Sequence, residues 1–357
     1  MNTSWKELSK ALNEVTKSNG AIEKLTEFLK THGYADEALM STFTPMLNVA
    51  NGQHLGWIGD MTDVGWAGAG CNPDYKKPSV NFAEKVWEIG DWQMPLEWCY
   101  KEFENTVAEY ALKEGTEIGD LTGTEIFNIL IETPLAKAMT DMFWRIIWFG
   151  DKAASSSTLT AGVDPTLFTA TDGLWKRLFA LGAANASQHT TIAANASASY
   201  AAQKADLRTQ GVAIGIFESL LDDADSRIEG LDGAAVFCTK SLADALARDL
   251  KNEYKLILNW EQIFGGLKVA EFDGKKIVAI SKWDRMIQQY QDDGTKFNLP
   301  HRAIYTAPSQ LLVGTPANDI ISDVDVQFDH KARTTFAYAT GKVGTLLGED
   351  NLIQVAY

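Results

Sequence analysis

Apolar residues spaced three and four apart mark the first elements of the chain. Trp5, Leu8, Leu12 and Val15 form one stripe and Ile22, Leu25 and Leu29 a second, so residues 4–31 read as helix in two pieces. Asn19-Gly20 between them tolerates the left-handed conformation that ends helices. Such a stripe has to be buried. It packs either on its own subunit or, as an arm, on a neighbour. Residues 50–94 have little helical periodicity: Gly52, Gly56, Gly59, Gly65, Gly68, Gly70 and Gly90 alternate with Trp57, Trp66, Trp87 and Trp92. The pattern predicts a long extended excursion, partly a hairpin, with strands near 55–59 and 84–89. Long loops in compact domains are uncommon and usually functional. Four tryptophans on such a segment either anchor an interface or pack the loop onto its own domain.

Pro95 suits the first turn of a helix. Leu96, Tyr100, Phe103, Val107 and Tyr110 would form its apolar face and Gly115 its stop. Thr122 and Glu125 have capping-box spacing, and the apolar stripe that follows runs from Ile126 past a kink at Pro134 to Ile147 and Gly150. At 1.5 Å per residue, residues 122–150 predict a helix of roughly 40 Å. Residues 153–205 are rich in Ala, Ser and Thr, with a helix expected over Leu174–Leu181. An amphipathic helix follows, carrying Ile214, Phe217, Leu220, Leu221 and Ile228. Ala234–Cys238 reads as a buried strand, and Ser241 as the cap of a helix carrying Leu242, Leu246 and Leu250. Residues 267–280 read as a hairpin turning at Asp273-Gly274. Residues 303–357 read mostly as strand, and there Val324, Val326 and Phe328 alternate with Asp323, Asp325 and Asp329.

Length and composition narrow the class. The 357 residues allow two domains or one elaborated fold. With 45% hydrophobic and 22% charged residues, disorder as the main state is excluded. Lys and Arg number 32 against 47 Asp and Glu, a net charge of −15, which excludes wrapping a nucleic acid with the whole surface. No stretch approaches the ~20 apolar residues of a membrane span. The N-terminal MNTSWKELSK lacks the apolar core of a secretory signal, so the expectation is a soluble protein of a reducing cytoplasm with no membrane partner. Cys71, Cys99 and Cys238 are too few and too separated for a disulfide framework or a zinc site.

Candidate chemistry is sparse. There is no H-E-x-x-H, C-x-x-C, G-x-S-x-G or Walker lysine loop. The Gly65–Gly70 cluster lacks the strand–turn–helix context of a phosphate cradle. His32, His54, His189, His301 and His330 are scattered and read as surface or loop residues. Asp222, Asp223, Asp225, Glu229 and Asp232 form either a cation site or a solvated helix face, the latter being the commoner outcome. Asp323, Asp325 and Asp329 read the same way on a half-buried strand. Eleven tryptophans among many acids also suit a carbohydrate-active enzyme, but nothing singles out the pair of carboxyl groups it needs. The sequence therefore predicts no catalytic residue, no cofactor and no metal.

The order of elements resembles the major capsid proteins of tailed double-stranded-DNA bacteriophages, the Hong Kong 97 fold. MFWRIIWFGDK (142–152) is similar to the end of the family's spine helix, and TDGLWKRLFA (171–180) to the start of its axial domain. GAAVFCTKSLADALARDLKN (233–252) resembles its strand and capped helix, and GLKVAEFDGKKIVAI (266–280) its axial hairpin. HRAIYTAPSQLLVGT (301–315), DVDVQFD and TTFAYATGKVG (334–344) resemble its C-terminal signature. The resemblance covers residue 50 to the end, on element order more than on any one motif.

It implies an α+β fold with four parts. These are an N-terminal helical arm (1–49), an extended loop (50–94), a peripheral domain with the spine helix (95–165, completed by 318–345), and an axial domain (166–317, with 346–357). It implies a non-enzymatic shell protein that assembles with itself into pentamers and hexamers of an icosahedral head, built in the host cytoplasm and ending in the virion. Portal, scaffold or decoration proteins would be further partners, and contact with packaged DNA would be non-specific. The extended loop would lie over the adjacent subunit, with Trp57, Trp66, Trp87 and Trp92 as inter-subunit contacts. Another virion component, a minor capsid or tail protein, is the neighbouring alternative.

Overall fold

The computed structural model describes residues 36–62, 64–65, 79–99, 133–262, 267–317, 320–329 and 334–357. The helices expected over 4–31 and over 100–132 lie outside these residues, as does Trp66. Along the chain run α1 (Glu37–Met40), β1 (Thr44–Met46), β2 (His54–Thr62), β3 (Ser79–Val86), β4 (Gly90–Cys99), α2 (Thr133–Phe149), α3 (Leu174–Ala184), β5 (His189–Thr190), α4 (Tyr200–Leu207) and α5 (Val212–Asp222). Then come β6 (Ala235–Thr239), α6 (Lys240–Glu253), β7 (Glu261–Gln262), β8 (Leu267–Phe272), β9 (Lys275–Ile280), α7 (Ser281–Tyr290), β10 (Ala303–Thr306), β11 (Leu311–Gly314), β12 (Asp323–Asp329), β13 (Thr334–Leu347) and β14 (Gln354–Ala356). The class is α+β.

Two sheets organise these elements. One has the order β1-β11-β13-β12, with β4 also paired to β13. The other has the order β5-β14-β10-β6-β9-β8-β7, and β2 and β3 form a separate hairpin. The second sheet is covered on both faces, which is why β6 is buried at every position. Ala235 and Phe237 point into a core shared with α2, α3 and α7, while Val236 and Cys238 point into a core shared with α5 and α6. The β8–β9 turn at Asp273-Gly274 has φ of 49° and 71°, the left-handed pair of a two-residue hairpin turn.

α2 begins with one buried face and ends buried all round: Met142, Phe143, Trp144, Ile146, Ile147, Trp148 and Phe149 are all core residues. Its described length is about 26 Å. Its last turn meets α3 and α7 in a knot of three indoles, with ring centroids 4.6 Å (Trp148–Trp283), 4.9 Å (Trp175–Trp283) and 5.9 Å (Trp148–Trp175) apart. The chain crosses itself there backbone to backbone. Gly173 N–H donates to Gly150 O at 2.8 Å, and a Cβ on Gly173 would sit 2.6 Å from Gly150 N. No larger residue fits this crossing.

Two expectations from sequence are corrected. Residues 90–99 are a strand, not the start of a helix at Pro95. Trp92 and Met94 are buried and Leu96 half-buried, while Asp91, Gln93, Pro95 and Glu97 are exposed, the period of two that a sheet imposes. Among the described residues β4 pairs with β13 alone, and an edge strand tolerates proline. The cap of α6 is also not Ser241. Asp284, on α7, accepts from the N–H groups of Lys240 (2.6 Å) and Ser241 (3.0 Å) and closes the helix start from a distant element.

Candidate functional site

The tryptophans of the extended segment are placed by glycines far away in sequence. Trp87 follows the β2–β3 hairpin, whose base is clamped by Gly52 N–H to Trp87 O (2.8 Å) and Trp87 N–H to Gln53 O (2.9 Å). Its ring lies on Gly314, where a Cβ would come within 2.6 Å, and packs with Val49, Leu312 and Leu346. Trp92 is paired in register with Gly341, whose absent Cβ would be 2.8 Å from the indole, and meets Phe143 edge-on at 5.4 Å. Trp87 and Trp92 are only 1% and 3% exposed. The expectation that they are inter-subunit contacts is therefore corrected: their indoles are spent on their own subunit's core. Trp57 is half-buried, opposite Ala83 on β3, with the Lys85 ammonium 5.7 Å from its ring. Lys85 also donates to Leu347 O (3.1 Å) and Gly348 O (2.8 Å) and pairs with Asp350, tying the hairpin to the end of β13.

Among the described residues of the extended segment the uncovered large apolar side chains are Val64 and Val86, 61% and 43% exposed; further uncovered apolar surface lies elsewhere. Tyr254, Leu256 and Ile257 are 57%, 59% and 78% exposed, in a segment running from α6 to the edge strand β7. Phe336 and Tyr338 point outward from β13 beside Glu97 and Pro95, while Ala337 and Ala339 point inward. In this strand the small residues are inside because α2 and α1 lie close beneath.

Ser241, Asp284 and His301 come together behind the start of α6. Burial raises the pKa of Asp284 against the pull of its two backbone hydrogen bonds. His301, expected at the surface, is 5% exposed. Its backbone is locked to the Asn195 side chain by bonds of 3.0 and 2.8 Å, and its Nδ1 lies 2.9 Å from Ser241 Oγ. Its Nε2 is buried without a partner. Burial pushes the imidazole pKa from 6.5 down to about 4. The unfolded chain therefore takes up this proton first as the pH falls. The stability associated with neutral His301 is complete above pH ~6.5 and is lost towards pH ~4, by up to about 3 kcal/mol. Asp284 shifts in the opposite sense, so the difference between wild type and His301→Gln isolates the imidazole. Urea midpoints taken from pH 7 to pH 4.5 are expected to fall more steeply for wild type; parallel curves would refute the assignment.

The acidic stretch from residue 222 resolves into separate contacts. Asp225 pairs with Arg227 (2.8 Å), which also reaches Glu349 (3.1 Å), and Glu229 pairs with Lys275 (2.5 Å). Among the described residues no group of three or more His, Cys, Asp or Glu is placed to hold a metal ion, and no helix is long and apolar enough to cross a membrane. His54, read from sequence as a surface or loop residue, is exposed and lies 2.6 Å from Glu84 across the hairpin. The Asp284–Ser241–His301 grouping was not legible in sequence, because Ser241 is 43 residues from Asp284 and 60 from His301.

No protein-family model matches the chain, and no curated protein does. Solved structures do. A chain of the satellite phage P4 procapsid, in a structure that includes the size determination (Sid) protein, aligns over 93% of this chain and 98% of its own, with a TM-score of 0.50 and 11% identity. A chain from Gordonia phage Cozz aligns over 89% and 84% (TM-score 0.49, 12% identity), and one from Mycobacterium phage Ogopogo over 90% and 91% (TM-score 0.49, 11% identity). The P4 likeness spans nearly the whole of both chains, so this protein has the fold of a phage procapsid chain.

Proposed function

We propose that this protein is the major capsid protein of a tailed bacteriophage, a non-enzymatic shell subunit of the Hong Kong 97 type. It assembles with itself into pentamers and hexamers of an icosahedral head enclosing double-stranded DNA. The observation that carries this reading is the likeness to a P4 procapsid chain over 98% of that chain's length. The subunit is made and assembled in the bacterial cytoplasm and ends in the virion. Portal, scaffold and decoration proteins are its further partners, and its contact with packaged DNA is non-specific and weakened by salt.

The two sheets suit the division into peripheral and axial domains. β4, β12 and β13 with α2 would make the peripheral domain (95–165 with 318–345), and β5–β10 with β14 the axial domain (166–317 with 346–357). β11 pairs with β13 and β1, so the axial boundary is better drawn before Leu311 than at 317. The 50–94 loop remains a covering element, held at its base by Trp87 and Trp92, and the 1–49 segment an arm. Of the four tryptophans, Trp57 and Trp66 stay proposed as inter-subunit contacts.

The purified protein should form rings or closed shells by sedimentation velocity and negative-stain electron microscopy. Persistence as a monomer across salt and crowding conditions would overturn the reading. The exposed 254–257 segment gives a sharper test, since large apolar side chains at this exposure are usually covered by a partner. Ile257→Asp should reduce shell yield at least tenfold and leave the melting temperature of the isolated chain within about 2 °C of wild type. Normal shells from the variant would remove this segment from the contact.

A further inference from the structure

A cleft of about 470 Å³ opens between α4, α6 and α7, with Lys204, Arg208, Lys240, Asp244, Arg248 and His301 on its walls. Four of its side chains are cations and two, Asp244 and Asp284, are acids, so the cleft is net positive in a chain of net charge −15. Its acids are already engaged. Asp244 pairs with Lys240, and Asp284 accepts from the backbone at the start of α6. The side chains of Lys204, Arg208 and Arg248 make no hydrogen bond or ion pair among the described residues. The buried His301 Nε2, also on the cleft wall, has no partner either. Three free cations and an unsatisfied buried nitrogen around one concavity are the features of a site built for an anion.

The complementary surface is on the same chain and out of reach. Glu218 and Asp222 lie one turn apart on the exposed side of α5, and exposed Asp223 follows. None of the three makes an ion pair among the described residues. The cleft is walled by positions 240, 244 and 248 of α6, whereas α5 meets α6 through Asp249, whose carboxylate accepts from Ala213 N–H at 3.0 Å. Arg208 precedes the first turn of α5, and Asp222 ends it about 15 Å further along. A cationic surface and an acidic surface on different sides of one subunit do not pair internally. They pair head to tail between subunits, and a head-to-tail contact whose rotation closes makes a ring.

We propose that this cleft docks the carboxylates at the end of α5, Glu218, Asp222 and Asp223, of a second copy of the chain. The proposal rests on the shell reading and assigns one contact within the ring. It places charge, which sets register and partner orientation, on the same helix that leads into the apolar 254–257 segment. Because the rim cations are exposed, the contact weakens as salt rises.

A charge-swap series tests it. Arg208→Glu with Arg248→Glu reverses the cleft, and Glu218→Lys with Asp222→Lys reverses the α5 end. Each double variant should lower ring formation at least tenfold by sedimentation velocity, with the melting temperature of the isolated chain kept. The chain carrying all four substitutions should regain assembly, because both halves of the contact are inverted together. If Arg248→Glu lowers the melting temperature, Lys204→Glu with Arg208→Glu on the exposed rim replaces it. Reversed chains that assemble like wild type overturn the docking alone, as does a fourfold chain that folds but stays as impaired as its parents. A wild type that never assembles overturns the shell reading and the docking with it.

Discussion

Trp87→Ala destabilises the isolated chain by about 3–5 kcal/mol, the range for truncating a fully buried indole. The site has little means of collapsing. The ring is 1% exposed and is walled by Val49, Leu312 and Leu346. Its seat is the backbone of Gly314 on β11, held on both sides by β1 and β13. The two backbone hydrogen bonds that clamp the hairpin base survive the substitution, so the loss is one of packing. Trp57→Ala, at a half-exposed position, should lose no more than about 1–2 kcal/mol. Gly314→Ala attacks the same contact from the other side. Its new Cβ would lie 2.6 Å from the indole, and overpacking of this kind costs about 1–3 kcal/mol. Urea unfolding of the unassembled chain, read for a lowered midpoint at unchanged slope, is the measurement. If Trp87→Ala leaves that midpoint alone and instead blocks shell formation, the indole belongs to an interface and the packing account fails.

That prediction reverses what the family resemblance implies, and the reason is distance along the chain. The sequence left open whether Trp87 and Trp92 anchor an interface or pack on their own domain, because their partners, Gly314 and Gly341, are more than 200 residues away and carry no side chain to advertise the contact. The same blindness explains β4. The alternation of D-W-Q-M-P-L-E is plain in residues 91–97, but Pro95 also fits a helix start, and only the pairing with residues 334–343 decides between them. Ser241 looked sufficient to cap α6 because the true cap, Asp284, is 43 residues downstream. Where the determining contact is local, the reading held. The Asp273-Gly274 turn, the buried run of β6 and the α5 stripe as far as Leu221 were visible in their own windows, whereas Ile228, expected on the same helix, lies in a separate turn (Ser226–Gly230), and the second strand of the hairpin is Ser79–Val86 rather than 84–89. The cleft at α4, α6 and α7 belongs to the non-local class, since its walls come from four separate stretches between Tyr200 and His301.

Arg302→Ala should be as damaging as Trp87→Ala, at about 3–5 kcal/mol, through a different combination of losses. Arg302 is 0% exposed, with its guanidinium carbon 5.0, 5.2 and 5.5 Å from the rings of Phe179, Trp175 and Phe149. Burial pulls its pKa down to about 9, with the Asp284 charge pulling the other way, so it stays charged at neutral pH. The aromatic faces and three acceptors stand in for a carboxylate. Nε donates to Leu299 O at 2.6 Å, and Nη2 donates to Asn298 O at 2.9 Å and to the Gln291 side chain. Leu299 has φ of 45°, a left-handed conformation that a leucine holds only under restraint, and Arg302 grips its carbonyl. Alanine would leave a void among three rings, two carbonyls without donors, and a strained residue without its tether. Arg302→Met refills the void without restoring the donors, so it should recover only part of the loss. Leu299→Gly, which removes the strain, should be better tolerated in the alanine background than in wild type, where the tether holds the strained leucine in place. Hydrogen exchange at Asn298, Leu299 and His301 reads the tether directly, with protection falling in both Arg302 variants. A methionine variant as stable and as protected as wild type would mean that the aromatic cage alone shapes the site, and that the guanidinium bonds contribute nothing to it.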